Sequence, residues 1–424
     1  MFLIYQIIIT IIIILSPIIL LVRILKKKEH PKRFIEKFCI NLKPRPKGKL
    51  VWFHGASVGE ILSIIPLVKK LEKNREIKTI LITSSTLSSA SVYKKYKSKK
   101  TIHQFFPIDY FILTKFFLNY WNPSVAIFID SEIWPSTFIS IKKKSIPLVL
   151  LNARITKRSF KKWSKLKRFS NYIFNKIDIA YPQNKETLNY LKKLNVSKIK
   201  IIGNLKFTEN ENKNEKENFN LKNRNFFNEI KSRKVWCASS THFSEEVMCG
   251  KVHAQLKKEY PNLLTIIIPR HIHRVKEIQN SLENLNLKLV LRSSNKKVNK
   301  ETDIFLVDTY GETKNFYKVC DTVFLGGSLI KHGGQNPIEA ARLGSTIIHG
   351  PYINNFKEVY ALLNSKNIAF CANNFKKLTQ LISSSVKKTN TNTKYKKINK
   401  MGHTILSKTI KEINNILDNE TKKT

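Results

Sequence analysis

Acidic residues, cysteine and glycine are all scarce in this chain, and the shortages close off whole classes of function. Only 30 of 424 residues are Asp or Glu, against 76 Lys and Arg. The five cysteines, Cys39, Cys237, Cys249, Cys320 and Cys371, are odd in number and scattered. They lack paired metal-ligand spacing, which excludes a disulfide scaffold and a thiolate zinc site and points to reduced cytosolic thiols. His271 and His273 have no nearby carboxylate to complete a metal site and are flanked by Arg270 and Arg274, so no metal is expected. The amino terminus has neither a basic leader nor a small-residue cleavage site, which excludes a cleaved signal peptide. The formal charge of +46 comes without an RNA-binding or helix-turn-helix signature, so nucleic acid is not the expected partner.

What is present begins with residues 1–22, almost wholly apolar and broken only by Gln6, Thr10, Ser16 and Pro17. At about 1.5 Å per residue, a helix of that length crosses a hydrocarbon core of roughly 30 Å. Arg23, Lys26, Lys27 and Lys28 follow at once, and such residues favour the cytoplasmic side and an anionic membrane surface. The expectation is an uncleaved single-pass anchor, then a basic connector over residues 23–48. Beyond it, short apolar runs alternate with amphipathic stretches, as βαβ units require. Strands are expected at Leu50–His54, Thr79–Thr83, Val125–Asp130, Leu148–Asn152, Ile177–Tyr181 and Ile199–Ile202. After a polar linker over residues 208–232, a second set is expected at Val235–Ala238, Leu264–Ile268, Leu287–Leu291, Ile304–Val307, Thr322–Leu325, Thr346–His349 and Ile368–Cys371. The fold class is therefore α/β: two doubly wound parallel sheets in domains 49–207 and 233–385, with a polar stretch and a final helix over 386–424. Two such sheets imply a cleft, with ligands beyond the carboxyl ends of the strands.

Glycine is rare but concentrated. Gly326, Gly327, Gly333 and Gly334 lie between the strand Thr322–Leu325 and a helical stretch, where a bare backbone admits a ligand closely. Asn336 suits an N-cap and Pro337 the first helical position. Unpaired N–H groups and the helix dipole there favour a phosphate, to which Arg270 can add two parallel hydrogen bonds. Glu339 either closes the cap or accepts from ribose hydroxyls.

In the first domain, Gly55 to Gly59 matches the nucleophile elbow G-x-S-x-G, with Ser57 as nucleophile, although no later Asp and His stand out as partners. Ser57 and Glu60 also have capping-box spacing. The two glycines would keep the turn open to a substrate, leaving Glu60 as a base. A helix terminus should lower its pKa, so burial or a second carboxylate would have to raise it. Asp130-Ser131-Glu132-Ile133-Trp134-Pro135 supplies carboxylates, unless Asp130 or Ser131 merely caps the next helix. Lys206 could neutralise developing negative charge from the end of the strand Ile199–Ile202. The run from Lys157 to Phe169 interleaves cations with aromatics, either as a solvated helix face or as a lipid-holding surface with its aromatics in the membrane interface.

Taken in order, the segments HGASVGE, DSEIWP, GNLKF, IIIPRH, DTYGE and GGSLIKHGGQNPIEAA resemble the Kdo transferase family, over a stretch running from the anchor to about Phe370. The resemblance implies glycosyltransferase B architecture, two Rossmann-like domains facing a cleft, without metal or cofactor. It implies transfer of 3-deoxy-D-manno-octulosonic acid (Kdo) from CMP-Kdo to a lipid A precursor at the inner membrane. Glu60 would be the proton acceptor, and Glu132 and Lys206 would stabilise the transition state. CMP would be held by Pro269, Arg270, Tyr310, Gly311, Glu312, Asn336, Pro337, Ile338 and Glu339. The family usually has His where Gln335 stands and Pro where Ala340 stands, departures that bear on donor affinity. Two other readings stay open: a glycosyltransferase of the same fold using a UDP-sugar, and a non-enzymatic basic membrane adaptor.

Overall fold

The computed structural model describes residues 1–208, 226, 228–387 and 392–421. The chain forms two compact units, Met1–Asn210 with Gly402–Thr424, and Glu211–Met401. The first unit opens with helix α1 (Phe2–Leu25). Strands β1 (Lys49–His54), β2 (Ile77–Ser84), β3 (Thr101–Phe105), β4 (Val125–Ile129), β5 (Leu148–Ala153) and β6 (Ile179–Pro182) follow. Between and after them come helices α2 (Val58–Leu71), α3 (Leu87–Lys94), α4 (Phe111–Trp121), α5 (Pro135–Lys143), α6 (Lys157–Lys165), α7 (Lys167–Phe174) and α8 (Lys185–Lys193).

The six strands are parallel in the order β3-β2-β1-β4-β5-β6. Strands covered on both faces read as unbroken apolar runs, as Leu50-Val51-Trp52-Phe53 and Val125-Ala126-Ile127-Phe128-Ile129 do, and all nine residues are buried. The strand order reverses between β1 and β4, which opens a crevice at their carboxyl ends.

Two elements of this unit depart from expectation. Strand β3 was not anticipated, because its centre holds His103 and Gln104 rather than an apolar run. Both are buried, and hydrogen bonds take the place of apolar contact: His103 Nε2 to Ser84 Oγ (2.8 Å), and the Lys43 N–H to Gln104 Oε1 (3.2 Å). The expected strand Ile199–Ile202 is only a single bridge from Ile199 to Ala180. Ile201 is half exposed, and Gly203 turns the chain away at a φ of +124°.

The second unit holds β7 (Lys234–Thr241), β8 (Leu263–Pro269), β9 (Leu289–Leu291), β10 (Ile304–Leu306), β11 (Thr322–Leu325), β12 (Thr346–His349) and β13 (Ala369–Cys371). They are parallel in the order β13-β12-β11-β7-β8-β10-β9, so the reversal here falls between β11 and β7. Most of the expected linker, residues 209–225 and 227, lies outside the described residues. The polar stretch expected from residue 386 is helical where described, shared between helices Phe375–Lys387 and Asn392–Thr421. The last helix returns to the first unit. Glu412 accepts from Tyr181 Oη (2.8 Å) and pairs with Lys200 (2.9 Å), and Ile405, Leu406, Ile413 and Leu417 are buried.

Candidate active site

At the reversal in the first sheet, β1 ends at His54 and the chain turns through Gly55-Ala56 into α2. Ser57 caps that helix: the Glu60 N–H donates to Ser57 Oγ (3.3 Å), while the Ala56 and Ser57 N–H groups donate to Glu60 Oε2 (2.7 and 3.3 Å). Ser57 Oγ also donates to Glu60 Oε1 (2.8 Å), so the hydroxyl is committed to the cap and the nucleophile-elbow reading of Ser57 falls away. The cap does not reduce Glu60 to a structural part. Burial raises its pKa, the Glu132 carboxylate raises it further, and Asp130 adds to this against the lowering bonds from Ser57. A Cβ at Gly59 would meet nothing within 4 Å, so that side of the turn is open.

The second carboxylate is held by a relay. Glu132 Oε2 accepts from Trp134 Nε1 (2.9 Å) and lies 3.2 Å from His54 Nε2. His54 Nδ1 in turn lies 3.0 Å from Thr83 Oγ1, which receives the Trp52 indole N–H at 2.9 Å. With the Thr83 proton given to Nδ1, the imidazole presents its Nε2–H to Glu132, and each donor from Trp52 to Glu132 has an acceptor. His54 is fully buried and stacks on Phe106 (3.9 Å between centroids), which fixes the ring. Neither Asp130 nor Ser131 caps α5. Asp109 does so instead, accepting from the Ser136 and Thr137 N–H groups (2.9 and 2.8 Å).

Asp130, at a φ of +54°, accepts from Asn152 Nδ2 (2.5 Å) and faces Lys206 Nζ at 3.5 Å. Lys206 therefore reaches the site from a 3₁₀ turn, Leu205–Thr208, and not from a strand end, and it arrives paired with a carboxylate. The aromatics of the basic stretch turn inward: Phe160 stacks on Tyr190 (4.3 Å), and Trp163 packs edge-on against Phe174 (5.2 Å). They do not project from α6 as membrane-interface aromatics would.

In the second unit the glycine-rich turn has a different occupant from the one expected. The Glu245 carboxylate, 1% exposed, accepts from the N–H groups of Gly327 (2.7 Å), Ser328 (3.2 Å), Leu329 (3.0 Å) and His242 (3.0 Å). The first half of the turn is thus filled by the protein's own anion and is closed to a phosphate. Gly326 is needed for packing, since a Cβ there would lie 2.5 Å from the Ser240 carbonyl oxygen. The second half leads to a one-turn helix, Ile338–Arg342, with Pro337 at its cap and Asn336 Oδ1 accepting from the Ile338 N–H (3.2 Å). Five residues make little dipole, so an anion there would meet N–H groups and side chains rather than a helix field.

Beside this turn, His242 packs against His332 (4.2 Å) and His271 (5.9 Å), next to the exposed Arg270 that follows Pro269. Burial, then the neighbouring His332, with His271 and Arg270 also contributing, holds His242 down to about 4. Its Nε2 is buried without a hydrogen-bond partner. Tyr310 is 72% exposed, and a Cβ at Gly311 would meet nothing within 4 Å. Glu312 is bound by Arg292 (3.0 Å), and Glu339 pairs with Lys314 (3.1 Å), so neither carboxylate plays a capping part. Among the described residues, no three His, Cys, Asp or Glu side chains are grouped as metal ligands would be.

The family described as 3-deoxy-D-manno-octulosonic-acid transferase (kdotransferase) matches residues 31–209. The 3-deoxy-D-manno-octulosonic acid transferase of Rickettsia bellii is 35% identical over 335 residues, 79% of this chain and 78% of that one. The chain belongs to the Kdo transferase family. The Haemophilus influenzae member is 31% identical over 326 residues, 76% of this chain and 74% of that one. A solved UDP-GlcNAc 2-epimerase from Neisseria meningitidis shares the fold, with a TM-score of 0.59 at 12% identity over 87% of this chain and 99% of that one. As a Kdo transferase the protein is a glycosyltransferase. Among its expected site residues, Glu60, Glu132 and Lys206 gather at the carboxyl ends of the first sheet; in the second unit Pro269 ends β8 and Arg270 follows it, while Tyr310–Glu312 and Asn336–Glu339 come after β10 and β11. Sequence reasoning missed His54 as a partner of Glu132, Asp109, His242 and Glu245. The last had a readable signal, a strand end running into Ser244-Glu245-Glu246 at the start of a helix.

Proposed function

We propose that this enzyme transfers Kdo from CMP-Kdo to the lipid A precursor lipid IVA in lipopolysaccharide core biosynthesis. It would do so with inversion at the anomeric carbon, on the cytoplasmic side of the inner membrane. The observation that carries the reading is the Glu60 carboxylate, raised above its ordinary range yet held ready by three donors. A raised carboxylate is a stronger base than a surface one. Glu60 takes the proton of an acceptor sugar hydroxyl, the freed oxygen bonds to the anomeric carbon, and the carbon–oxygen bond to phosphate breaks as CMP leaves with the electron pair. Glu132, oriented by His54 and Trp134, and Lys206, steadied by Asp130, stabilise charge in the transition state. Pro269, Arg270, Tyr310, Gly311, Glu312, Asn336, Pro337, Ile338 and Glu339 hold the nucleotide, with the Arg270 guanidinium meeting its phosphate.

Full-length enzyme offered CMP-Kdo or UDP-sugars with tetraacylated acceptor should form product only from CMP-Kdo, resolved by mass. Product from a UDP-sugar alone would replace this reading. Glu60→Gln should lower transfer by roughly 10²–10⁴-fold while CMP affinity stays near that of the parent. Transfer at the parent rate would remove Glu60 from the mechanism.

A further inference from the structure

Helix α1 is long and apolar enough to cross a membrane, but both of its ends are fastened to the same unit. At the amino end, Tyr5 Oη donates to Asp109 Oδ2 (2.6 Å) and Gln6 Nε2 to Ser136 Oγ (2.7 Å), and Phe2 packs on the core. At the carboxyl end, Arg23 pairs with Glu29 (3.3 Å), which also binds Lys37, and the Ile108 N–H donates to the Lys37 carbonyl (2.9 Å). Phe2, Tyr5, Ile9, Ile13, Ser16 and Leu20 lose exposure at spacings of three and four, so one face of the helix is turned to the protein. Between Tyr5 and Leu25 the helix rises about 30 Å, the thickness of a bilayer core. A spanning helix would put Tyr5 and Gln6 on the far side of the membrane from Asp109 and Ser136.

The opposite face of α1 is uncovered and apolar, including Leu3 (76% exposed), Ile7, Ile11, Ile14 and Ile18. It continues onto a neighbour: the Phe111 N–H at the start of α4 donates to Gln6 Oε1 (3.3 Å), and Ile112, Phe116 and Tyr120 form an exposed stripe along α4. Cations flank both ends. Lys26, Lys27 and Lys28 are exposed after α1, and Tyr5 packs against Phe169 (6.4 Å) beside α6, whose lysines and arginine are not buried.

We infer that α1 and the outer stripe of α4 form one monotopic face that lies in a single leaflet of anionic phospholipid, with α1 in the membrane plane rather than across it. Apolar side chains enter the acyl region, and the basic clusters meet the headgroups. The polar residues of α1 that would be costly in lipid, Tyr5, Gln6, Thr10 and Ser16, lie on or beside the protein-facing stripe.

The test uses membranes from cells making the full-length chain with Cys371→Ser, which removes the exposed thiol. In that background Tyr5→Cys and Phe169→Cys are joined by a short bifunctional thiol reagent, and the linked pair of peptides is read by mass. An in-plane helix gives the intramolecular link. A spanning helix holds the thiol introduced near the amino terminus roughly 30 Å away, so no link, or a link only between two chains, overturns the inference. As a second reading, an environment-sensitive dye on Ile112→Cys should shift to the blue and be quenched by spin-labelled acyl chains in anionic vesicles. Water-like emission would equally overturn it. Neither readout depends on which sugar the enzyme transfers.

Discussion

Glu60 is pulled in two directions by its surroundings. Two backbone N–H groups and the Ser57 hydroxyl stabilise its charge, while burial and then the Glu132 and Asp130 carboxylates destabilise it, and the destabilising side wins. A base must be ionised to act, so activity should fall as pH drops through this raised pKa, at a pH above the ordinary carboxylate range. Glu132→Gln removes one repelling charge. The acid limb of the kcat/KM profile should then move to lower pH, whatever happens to its height, and an unmoved limb would show that Glu132 does not bear on Glu60. The residue types were readable in the sequence: a carboxylate in a glycine-flanked turn and a second in Asp130-Ser131-Glu132. The relay was not readable, because His54 meets Thr83 29 residues away and Glu132 78 residues away.

The glycine-rich turn shows the same division for a whole element. Its glycines, its Asn-Pro helix start and its place after a strand are local signals; β11 lies where those signals put it, and the one-turn helix starts one residue later, with Pro337 rather than Asn336 at its N-cap. The anion that fills the turn comes from Glu245, 82 residues earlier than Gly327. Replacing it removes a buried acceptor from four N–H groups at once. Glu245→Ala should therefore destabilise the second unit by roughly 3–5 kcal/mol, measured by denaturant unfolding, with donor binding lost as the turn loosens. A change below about 1 kcal/mol would mean that solvent replaces the carboxylate freely.

At the scale of the molecule, the chain closes on itself. The last helix buries Ile405, Leu406, Ile413 and Leu417, and a Cβ at Gly402 would lie 2.4 Å from the Phe207 carbonyl oxygen. Each apolar side chain removed from water contributes about 1.5–3 kcal/mol, so ending the chain at residue 401 would remove much of the roughly 5–15 kcal/mol that holds a typical domain together. Such a truncation should make the first unit, not the second, the first to yield to limited proteolysis. Earlier cleavage within residues 228–387 would show that the helix serves the second unit instead.

By itself, the sequence determined the two parallel sheets and nearly all of their strands, the turns at their carboxyl ends, and the family those turns resemble. Each depends on apolar period, capping residues and spacing within a short stretch of chain. Only the tertiary structure decided that β3 could be a strand with polar residues at its centre, that Glu245 fills the glycine turn, that His54 orients Glu132, and that the first and last helices pack on the first unit. These outcomes rest on hydrogen bonds and burial between residues far apart in the chain, such as the 104 residues from Tyr5 to Asp109 and the 231 from Tyr181 to Glu412. No local pattern carries that information, because the partner that offsets the cost of burying such a polar group lies far along the chain.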